Sequence, residues 1–178
     1  MSRIGKEPVK LLEGASASVD GQKVTVKGKL GELSYTMHEG ITAKVEDGQI
    51  KIACADDESL GNFHGLARAR INNMVIGVSN GYQKQLSIEG TGFKAQLKGQ
   101  ELALSLGFAS PKVFQIPAGL TITVENDGLQ VTIKGISKEV VGEAAARIRS
   151  YDPAEPYKGK GIKYVGEKIR RKQGKKVA

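Results

Sequence analysis

The sequence predicts an α+β fold of two duplicated small domains, each an antiparallel sheet covered by one main helix, with a basic carboxy-terminal tail. Three observations predict this class: alternating apolar residues, a helix pattern at the end of each half, and an internal repeat. Of the 178 residues, 39% are hydrophobic and 26% are charged, which suffices for a folded core. The 23 glycines, about twice the usual share, indicate many turns between short elements.

Three short stretches recur in the same order in both halves of the chain. The pairs are residues 40–42 with 119–121, residues 47–52 with 127–133, and residues 65–71 with 142–148. Five of the seven positions in the last pair are identical. A duplicated module explains these matches. We predict domain limits of 1–81 and 82–156, with a basic extension at 157–178.

In the first half, alternation of apolar and polar residues predicts strands at 24–26, 33–37, 41–45 and 50–54. From about Ser59 the apolar spacing changes to three and four residues, which predicts a helix. The predicted helix face comprises Phe63, Leu66, Ala67, Arg70, Ile71, Met74, Val75 and Val78. Cys54 is in phase with the last strand, so we interpret it as a small buried apolar side chain.

The second half repeats this order of strands followed by a helix. Strands are predicted at 86–88, 93–97, 102–106, 120–124 and 131–133, and a helix over about 137–150. The helix face comprises Val140, Val141, Ala144, Ala145 and Ile148. We expect Ser137 to cap this helix and Asp152-Pro153 to end it.

Two patterns resemble cofactor or catalytic sites. Gly90-Thr91-Gly92 fits the loose dinucleotide-binding pattern, which requires a helix to begin at the glycines. Residues 93–97 alternate instead, so we interpret the glycines as a kink or bulge in a sheet. Asp56-Asp57-Glu58 precedes the first helix, where carboxylates interact favourably with the helix dipole, and we favour that role over acid–base catalysis.

The remaining reactive residue types lack partners. His38 and His64 are the two histidines, neither at metal-ligand spacing, and a single cysteine cannot form an internal disulfide. We therefore predict no enzymatic activity, no cofactor and no metal. The sequence has no run of 18 apolar residues, and residues 1–6 lack the apolar segment of a secretion signal. We expect a soluble cytoplasmic protein.

The positive charge is concentrated at the carboxy-terminal end. Residues 158–178 contain nine basic residues and one acidic residue, Glu167, and so carry the whole formal net charge of +8. Such a block is typical of an arm that binds a polyanion, and also of a solvated terminus that aids solubility. Residues 165–173 are too short and too charged for a stable isolated helix, so we expect them to order on a polyanion.

The segment after the second helix combines glycine, basic and aromatic residues in a pattern that suits nucleic acid. The glycines let backbone amides approach a partner, and the lysines supply charge. Tyr157 and Tyr164 would either stack on unpaired bases or anchor the segment to the second domain. The predicted RNA-binding residues are Tyr157, Lys158, Gly159, Lys160, Gly161, Ile162, Lys163, Tyr164, Lys168, Arg170, Arg171, Lys172, Lys175 and Lys176.

This segment resembles the carboxy-terminal signature of the family of bacterial large-subunit ribosomal protein six. The matching residues are Pro-Tyr-Lys-Gly-Lys-Gly-Ile-Lys-Tyr at 156–164, Gly166-Glu167 and Arg170-Arg171-Lys172. Residues 2–6, 72–78 and 90–97 also agree, so the resemblance covers essentially the whole chain. One stretch departs: residues 106–111 read Leu-Gly-Phe-Ala-Ser-Pro, where the family usually has Ser-His-Pro.

The resemblance implies two α+β domains that arose by duplication, with a structural and non-catalytic role in the large ribosomal subunit. It implies binding to 23S ribosomal RNA through the second domain and tail, near the factor-binding stalk base and the sarcin–ricin loop. The implied partners are this RNA and neighbouring large-subunit proteins, with no small-molecule substrate and no membrane. The balanced charge of the first domain favours protein contacts or packing there. Arg3, Ile4 and Lys6 would either bind RNA or remain untethered.

Two other function classes stay open from the sequence. The first is a nucleotide-dependent enzyme, which a strand directly after the Gly90-Thr91-Gly92 pattern would exclude. The second is a polybasic module for anionic membranes or DNA. The tail has no apolar helical face, which disfavours the membrane. Co-sedimentation of the native protein with ribosomal particles would decide between the second class and a ribosomal role.

Overall fold

The computed structural model describes residues 2–55 and 60–175 of the chain. They form two compact units, Met1–Tyr82 with Ile136–Lys138, and Gln83–Gly135 with Glu139–Ala178. Each unit combines short strands with one long helix, so the predicted α+β class is confirmed. The strands of each unit divide between two small sheets. Alternation along the sequence does not reveal this division, because it does not identify a strand's partner.

The described residues of the first unit form six strands and one α-helix. They are β1 (Val9–Lys10), β2 (Ser16–Asp20), β3 (Lys23–Gly28), β4 (Gly31–Thr36), β5 (Ile41–Glu46), β6 (Gln49–Cys54) and α1 (Gly61–Asn80). One sheet is the antiparallel meander β2-β3-β4, and the other has the order β1-β6-β5. Helix α1 packs against strands of both sheets. The core of this unit therefore lies between the helix and the two sheets.

The buried side of α1 differs from the predicted one at two positions. Phe63 and Leu66 are 40% and 43% exposed, whereas His64 is buried with Ala67 and Ile71. The interior accepts His64 because its ring Nε2 lies 3.1 Å from the Ile52 carbonyl oxygen. Phe63 instead stacks on His38, with ring centroids 4.1 Å apart. The spacing of apolar residues does not reveal a histidine whose burial depends on a hydrogen bond to the backbone.

Other predictions for the first unit have mixed outcomes. Arg70 is half-buried, with its guanidinium 5.1 Å from the centre of the Tyr35 ring. Cys54 is also half-buried, so its predicted burial is only partial. The carboxylates of Asp56, Asp57 and Glu58 lie outside the described residues, as does the predicted helix start at Ser59.

Besides a short 3-10 helix at Asn126–Gly128, the described residues of the second unit form seven strands and one α-helix. They are β7 (Tyr82–Glu89), β8 (Lys94–Lys98), β9 (Glu101–Ser105), β10 (Lys112–Gln115), β11 (Leu120–Glu125), β12 (Gln130–Gly135), α2 (Lys138–Ser150) and β13 (Gly161–Tyr164). One sheet has the order β10-β9-β8 and the other β11-β12-β7-β13. Helix α2 buries Val141, Ala144, Ala145 and Ile148, and leaves Val140 half-buried. Its buried face agrees with the prediction except at Val140.

The two units share one topology. The meander β8-β9-β10 corresponds to β2-β3-β4, and the neighbours β7 and β12 correspond to β1 and β6. The hairpin β11–β12 corresponds to β5–β6, and each precedes a helix. Both hairpin turns contain an aspartate with a left-handed backbone, Asp47 with φ 49° and Asp127 with φ 54°. The duplication predicted from the sequence is confirmed, and among the described strands β13 is the one in the second unit without a counterpart in the first.

The sequence pattern did not reveal β1, β2, β10 or β13. Residues 90–93 connect β7 to β8, which belong to different sheets, and β8 begins at Lys94. No helix begins at Gly90 or Gly92. The strand predicted directly after these glycines is present from Lys94, whereas the glycines lie in a turn that joins two sheets and not in a kink or bulge within one sheet.

Candidate nucleic-acid interface

Residues 161–164 of the predicted tail form β13, an edge strand of the second unit. Strand β13 pairs antiparallel with β7, with Ile162 opposite Ile88. The Ile162 side chain is fully buried, and its amide donates a hydrogen bond to the Asp152 carbonyl oxygen at 2.8 Å. Pro153 forms an isolated parallel bridge with Ile162 on the other side. Residues 161–164 are therefore part of the folded domain.

Gly161 is the residue that allows β13 to approach the chain leaving α2. Its φ is +123°, and a Cβ atom there would lie 2.8 Å from the Ala154 Cα and the Asp152 carbonyl oxygen. Both neighbours are backbone atoms, so they cannot move aside as a flexible side chain would. Gly161 is itself buried, which makes it a packing residue.

Glu167 fixes the chain just after β13. Its carboxylate accepts the Tyr164 amide proton at 2.9 Å and binds the Arg149 guanidinium at 2.7 Å. The hydrogen bond from Tyr164 and then the Arg149 cation lower the pKa of Glu167 below its usual 4.5. Arg149 and Lys84 also lie over the Tyr164 ring, each with its charged centre 5.7 Å from the ring centre. Of the two roles considered for Tyr164, this geometry favours the anchor.

From the sequence, Glu167 was the one charge opposing the tail and part of the Gly166-Glu167 match, and Arg149 had no predicted role. A signal for Arg149 was present in its position in the last turn of α2, where a cation is favourable. Nothing in the sequence indicated its partner, because 18 residues separate the two side chains.

Residues 156–172 form a loop that closes on itself, here called the carboxy-terminal loop. The Lys172 amide donates a hydrogen bond to the Pro156 carbonyl oxygen at 2.9 Å. At the start of the loop, the Glu155 amide donates to the Lys160 carbonyl oxygen at 2.8 Å. Residues 165–175 contain no helix. The backbone of the cationic segment is therefore held against the second unit at both ends.

The structure divides the predicted RNA-binding residues into three groups. The exposed ones are Tyr157, Lys158, Lys160, Lys168, Arg170, Arg171, Lys172 and Lys175, whereas Lys163 and Tyr164 are half-buried. Gly159, Gly161 and Ile162 are buried, and Lys176 lies outside the described residues. The buried group shapes the loop, and the exposed group forms its surface.

Seven of the exposed residues are cations. Within the described part of the chain, the loop cation that forms an ion pair with a carboxylate is Lys163, which binds Glu89. Because the exposed lysines and arginines lie close together along one closed loop, they form a concentrated positive surface. Such a surface attracts the closely spaced phosphates of a folded nucleic acid.

The described residues also bear on metal binding and on membrane insertion. In residues 2–55 and 60–175, no group of three or more histidine, cysteine or acidic side chains is placed to hold a metal ion. Within the described ranges, no helix has the length and apolar character needed to cross a bilayer.

The fold and this loop define a two-domain α+β protein with a preformed cationic surface on its second domain. The family model described as Ribosomal protein L6 matches residues 13–81 and 89–165. The two matched segments correspond to the two units. The chain belongs to the ribosomal protein L6 family.

Three bacterial relatives carry the name large ribosomal subunit protein uL6. The protein of Magnetococcus marinus is 50% identical over 177 residues, with 99% of each chain covered. The protein of Dictyoglomus thermophilum is 50% identical over 177 residues, with 98% of each chain covered. The protein of a Bradyrhizobium species is 48% identical over 177 residues, with 99% of each chain covered. The similarity thus includes the carboxy-terminal loop, of which residues 166–172 lie outside the family match.

Family membership establishes the general role of the chain. It is a structural component of the large subunit of the cytoplasmic ribosome and acts in translation. It assembles there with ribosomal RNA and other ribosomal proteins, and it is not an enzyme.

Proposed function

We propose that the chain binds 23S ribosomal RNA through the exposed cations of the carboxy-terminal loop and of Lys175. In this proposal it lies near the base of the factor-binding stalk and the sarcin–ricin loop, beside other large-subunit proteins. The observation that carries the RNA contact is the closed loop, in which six cations are exposed while Gly159, Gly161 and Ile162 are buried, with a seventh exposed cation at Lys175. The position within the subunit is supported by the family resemblance.

The mechanism is charge neutralisation by a surface that is already shaped before binding. A free cationic tail would lose backbone entropy of about 1–2 kcal/mol per residue on ordering. The pairing of β13 with β7 and the Glu167–Arg149 ion pair fix much of this segment in the folded chain. More of the attraction between cations and phosphates is then available for affinity. Such binding follows the shape of folded RNA and not its base sequence.

The two domains have different roles in this proposal. Residues 1–156 have balanced charge, whereas the segment from 158 carries the whole net charge. We assign protein contacts or packing to the repeat at 1–81. The repeat at 82–156 carries the extension at 157–178, and the pair forms the RNA-binding part.

The test compares RNA affinity in two triple variants of the full chain. Lys168, Lys172 and Lys175 are changed to Gln in one, and the exposed Lys10, Lys23 and Lys44 of the first unit in the control. The ligand is 23S ribosomal RNA transcribed in vitro, titrated at several salt concentrations. With seven phosphate contacts, log affinity should fall against log salt with a slope of about −5 in the wild type.

The two variants should behave differently. The carboxy-terminal variant should lose about 100-fold in affinity at 0.1 M salt and about 2 units of slope. The control should retain the wild-type slope. Equal losses in both variants would mean that the charge acts without a defined surface, and would contradict the proposal. Substitutions are preferable to removal of residues 157–178, because that deletion would also remove the buried Ile162.

A further inference from the structure

A groove on the second unit brings together three motifs that lie far apart in the sequence. Phe93 comes from the glycine-rich stretch at 90–97, and Phe108 comes from the stretch at 106–111 that departs from the family pattern. Tyr157, Lys158 and Lys160 come from the start of the carboxy-terminal loop. All five residues line one open cavity of about 490 Å³. This volume lies within the range of about 300–1,000 Å³ typical of small-ligand sites.

We propose that this groove binds one unpaired nucleotide of ribosomal RNA, with its base stacked on Phe108 and Tyr157 and its phosphates bound by Lys158 and Lys160. The inference rests on the proposed RNA-binding function and adds to it a defined site for a single nucleotide. The RNA-binding surface described above acts through cations that neutralise the phosphates of the RNA backbone. The groove adds aromatic and acceptor groups, which recognise a base.

Two aromatic side chains of the groove are exposed, and the third, Phe93, is half-buried and closely packed. Phe108 and Tyr157 are 50% and 55% exposed, which leaves large apolar surfaces in contact with water. Phe93 forms a fixed wall: a Cβ atom on Gly90 would lie 2.6 Å from its ring, and one on Gly107 would lie 3.1 Å away. Every base has a π-face, and base–aromatic stacking contributes substantially to single-strand binding.

The charges of the groove suit a nucleotide better than a free anion. Lys158 and Lys160 line it, and Lys112 Nζ lies 5.2 Å from the centre of the Phe108 ring. Asp152 and Glu155 line the same groove and would repel a second phosphate. Carboxylates accept the N–H groups that bases present on their Watson–Crick edges. Asp152 is half-buried, and this burial, followed by the Glu155 charge, raises its pKa above the usual value.

The experiment separates stacking from charge in the full-length protein. One double variant changes Phe108 and Tyr157 to Ala, and a second changes Lys158 and Lys160 to Gln. F108Y and Y157F keep an aromatic ring and serve as the conservative pair. V113A, at an exposed position in the neighbouring strand β10, is the control for loss of apolar surface. Each protein is titrated with 23S ribosomal RNA transcribed in vitro across a range of salt.

Stacking predicts a loss of affinity without a change in salt dependence. The aromatic double variant should bind about 10- to 100-fold more weakly with an unchanged slope. The lysine variant should lose about 1.4 units of slope. F108Y, Y157F and V113A should bind like the wild type. Wild-type affinity in the aromatic double variant would overturn the nucleotide site, and wild-type affinity in the Lys168, Lys172 and Lys175 variant would instead overturn the RNA-binding function.

A second measurement uses small probes and does not depend on ribosomal RNA. Guanosine 5′-monophosphate and ribose 5-phosphate are added separately to the isotope-labelled protein, and its NMR spectra are recorded. The nucleotide should shift the ring protons of Phe108 and Tyr157, because a stacked base produces a ring current, and the sugar phosphate should not. Equal shifts with both probes would assign the groove to phosphate alone and overturn the proposal. If the Phe108 and Tyr157 double variant kept its RNA affinity but no longer retained a large-subunit protein, the groove would be assigned to a protein partner. That result would also overturn the proposal.

Discussion

The two units are copies of one fold, and they differ at the edge of one sheet. In the first unit the two-residue strand β1 is the edge of the sheet β1-β6-β5. In the second unit the corresponding strand β7 has eight residues and carries β13 on its outer side. The added strand leads directly into the exposed cations. A duplicated domain has thus acquired a charged surface by extending an existing sheet.

The terminal segments of the two units are packed in a similar way but differ in the charge that they carry. In the first unit, a Cβ atom on Gly5 would lie 2.6 Å from the His64 ring, so the amino-terminal segment lies directly on the buried helix residue. Its neighbours Arg3 and Lys6 are exposed. In the second unit, Gly161 provides the close approach and a dense group of cations follows. Both terminal segments have a glycine at their point of close approach, and the segment of the second unit carries the denser group of cations.

The largest expected effect is on the strand that distinguishes the second unit. Ile162→Ala should lower the free energy of unfolding by about 3 kcal/mol, because it leaves a cavity at a fully buried position. Val165→Ala, three residues later and 52% exposed, should change it by less than about 0.5 kcal/mol. Urea denaturation of both variants measures the difference. Similar stabilities would show that β13 adds little to the domain.

A smaller loss is expected where β13 meets the chain after α2. Gly161→Ala should cost about 2 kcal/mol, because the new methyl group would contact backbone atoms and the backbone has a positive φ. Gly142→Ala is the matched control: it lies within α2 with no atom within 4 Å of a new Cβ, and should stabilise the protein by about 0.5 kcal/mol. Thermal unfolding of both variants distinguishes the two effects. A stabilised Gly161→Ala variant would contradict the packing described for this position.

The ion pair after β13 allows charge and preorganisation to be separated. Glu167→Gln removes a negative charge from a cationic surface, so simple electrostatics predicts tighter RNA binding. We expect about fivefold weaker binding and a loss of about 1 kcal/mol in stability, because the Arg149 and Tyr164 contacts hold the loop. Glu143→Gln, which removes an equally negative partner of exposed Arg147, should change stability by less than about 0.5 kcal/mol. Tighter RNA binding by the Glu167 variant would contradict the preorganised loop.

The same carboxylate should make the stability of the second unit depend on pH. The pKa of Glu167 is lowered in the folded chain, so its contribution is complete above the unfolded value of 4.5 and is lost as pH falls through the folded value. Wild type and Glu167→Gln should therefore differ in stability at pH 7 and converge as the pH falls below the pKa that Glu167 has in the folded chain. Hydrogen exchange of the Tyr164 amide, which donates to Glu167, provides a local readout. A difference that persists at low pH would assign the effect to another group.

The smallest effect is expected in the first unit. Phe63→Ala should cost about 0.5–1 kcal/mol, because the ring lies on the surface and contributes a stacking contact with His38. A core phenylalanine would cost about 3–5 kcal/mol. Chemical denaturation measures the loss, and a value in the higher range would restore Phe63 to the core predicted from periodicity.

The sequence predicted elements well where the apolar pattern was long and regular. The strand patterns before α1 and α2 and the helical spacing of Ala67, Ile71 and Met74 were sufficient, because they reflect one buried face per element. Strand β13 was missed because residues 161–164 contain one glycine and one lysine and are too short to show a period. Its identity as a strand depends on β7, which lies more than 70 residues earlier in the chain.

The candidate site was predicted in its composition but not in its arrangement. The two tyrosines, the glycines and three lysines were identified from the motif at 156–164, and the other basic residues from the charge of the segment that follows it. Their division into exposed and buried groups could not be predicted, because Ile162 and Gly161 are buried by a partner strand and by the turn at 152–154. The contribution of Phe108 to the groove was likewise hidden, since a residue's sequence neighbours do not reveal which distant side chains line the same cavity.

By itself, the sequence determined the α+β class, the duplication and the concentration of the +8 charge after residue 157. These properties follow from local periodicity and composition, which each short stretch of chain carries within itself. Only the tertiary structure decided that the charged segment is a closed loop anchored by β13 and by Glu167. The physical reason is that the hydrogen bonds and the ion pair that close the loop join residues distant along the chain, and such contacts exist only after the sheet and α2 have formed.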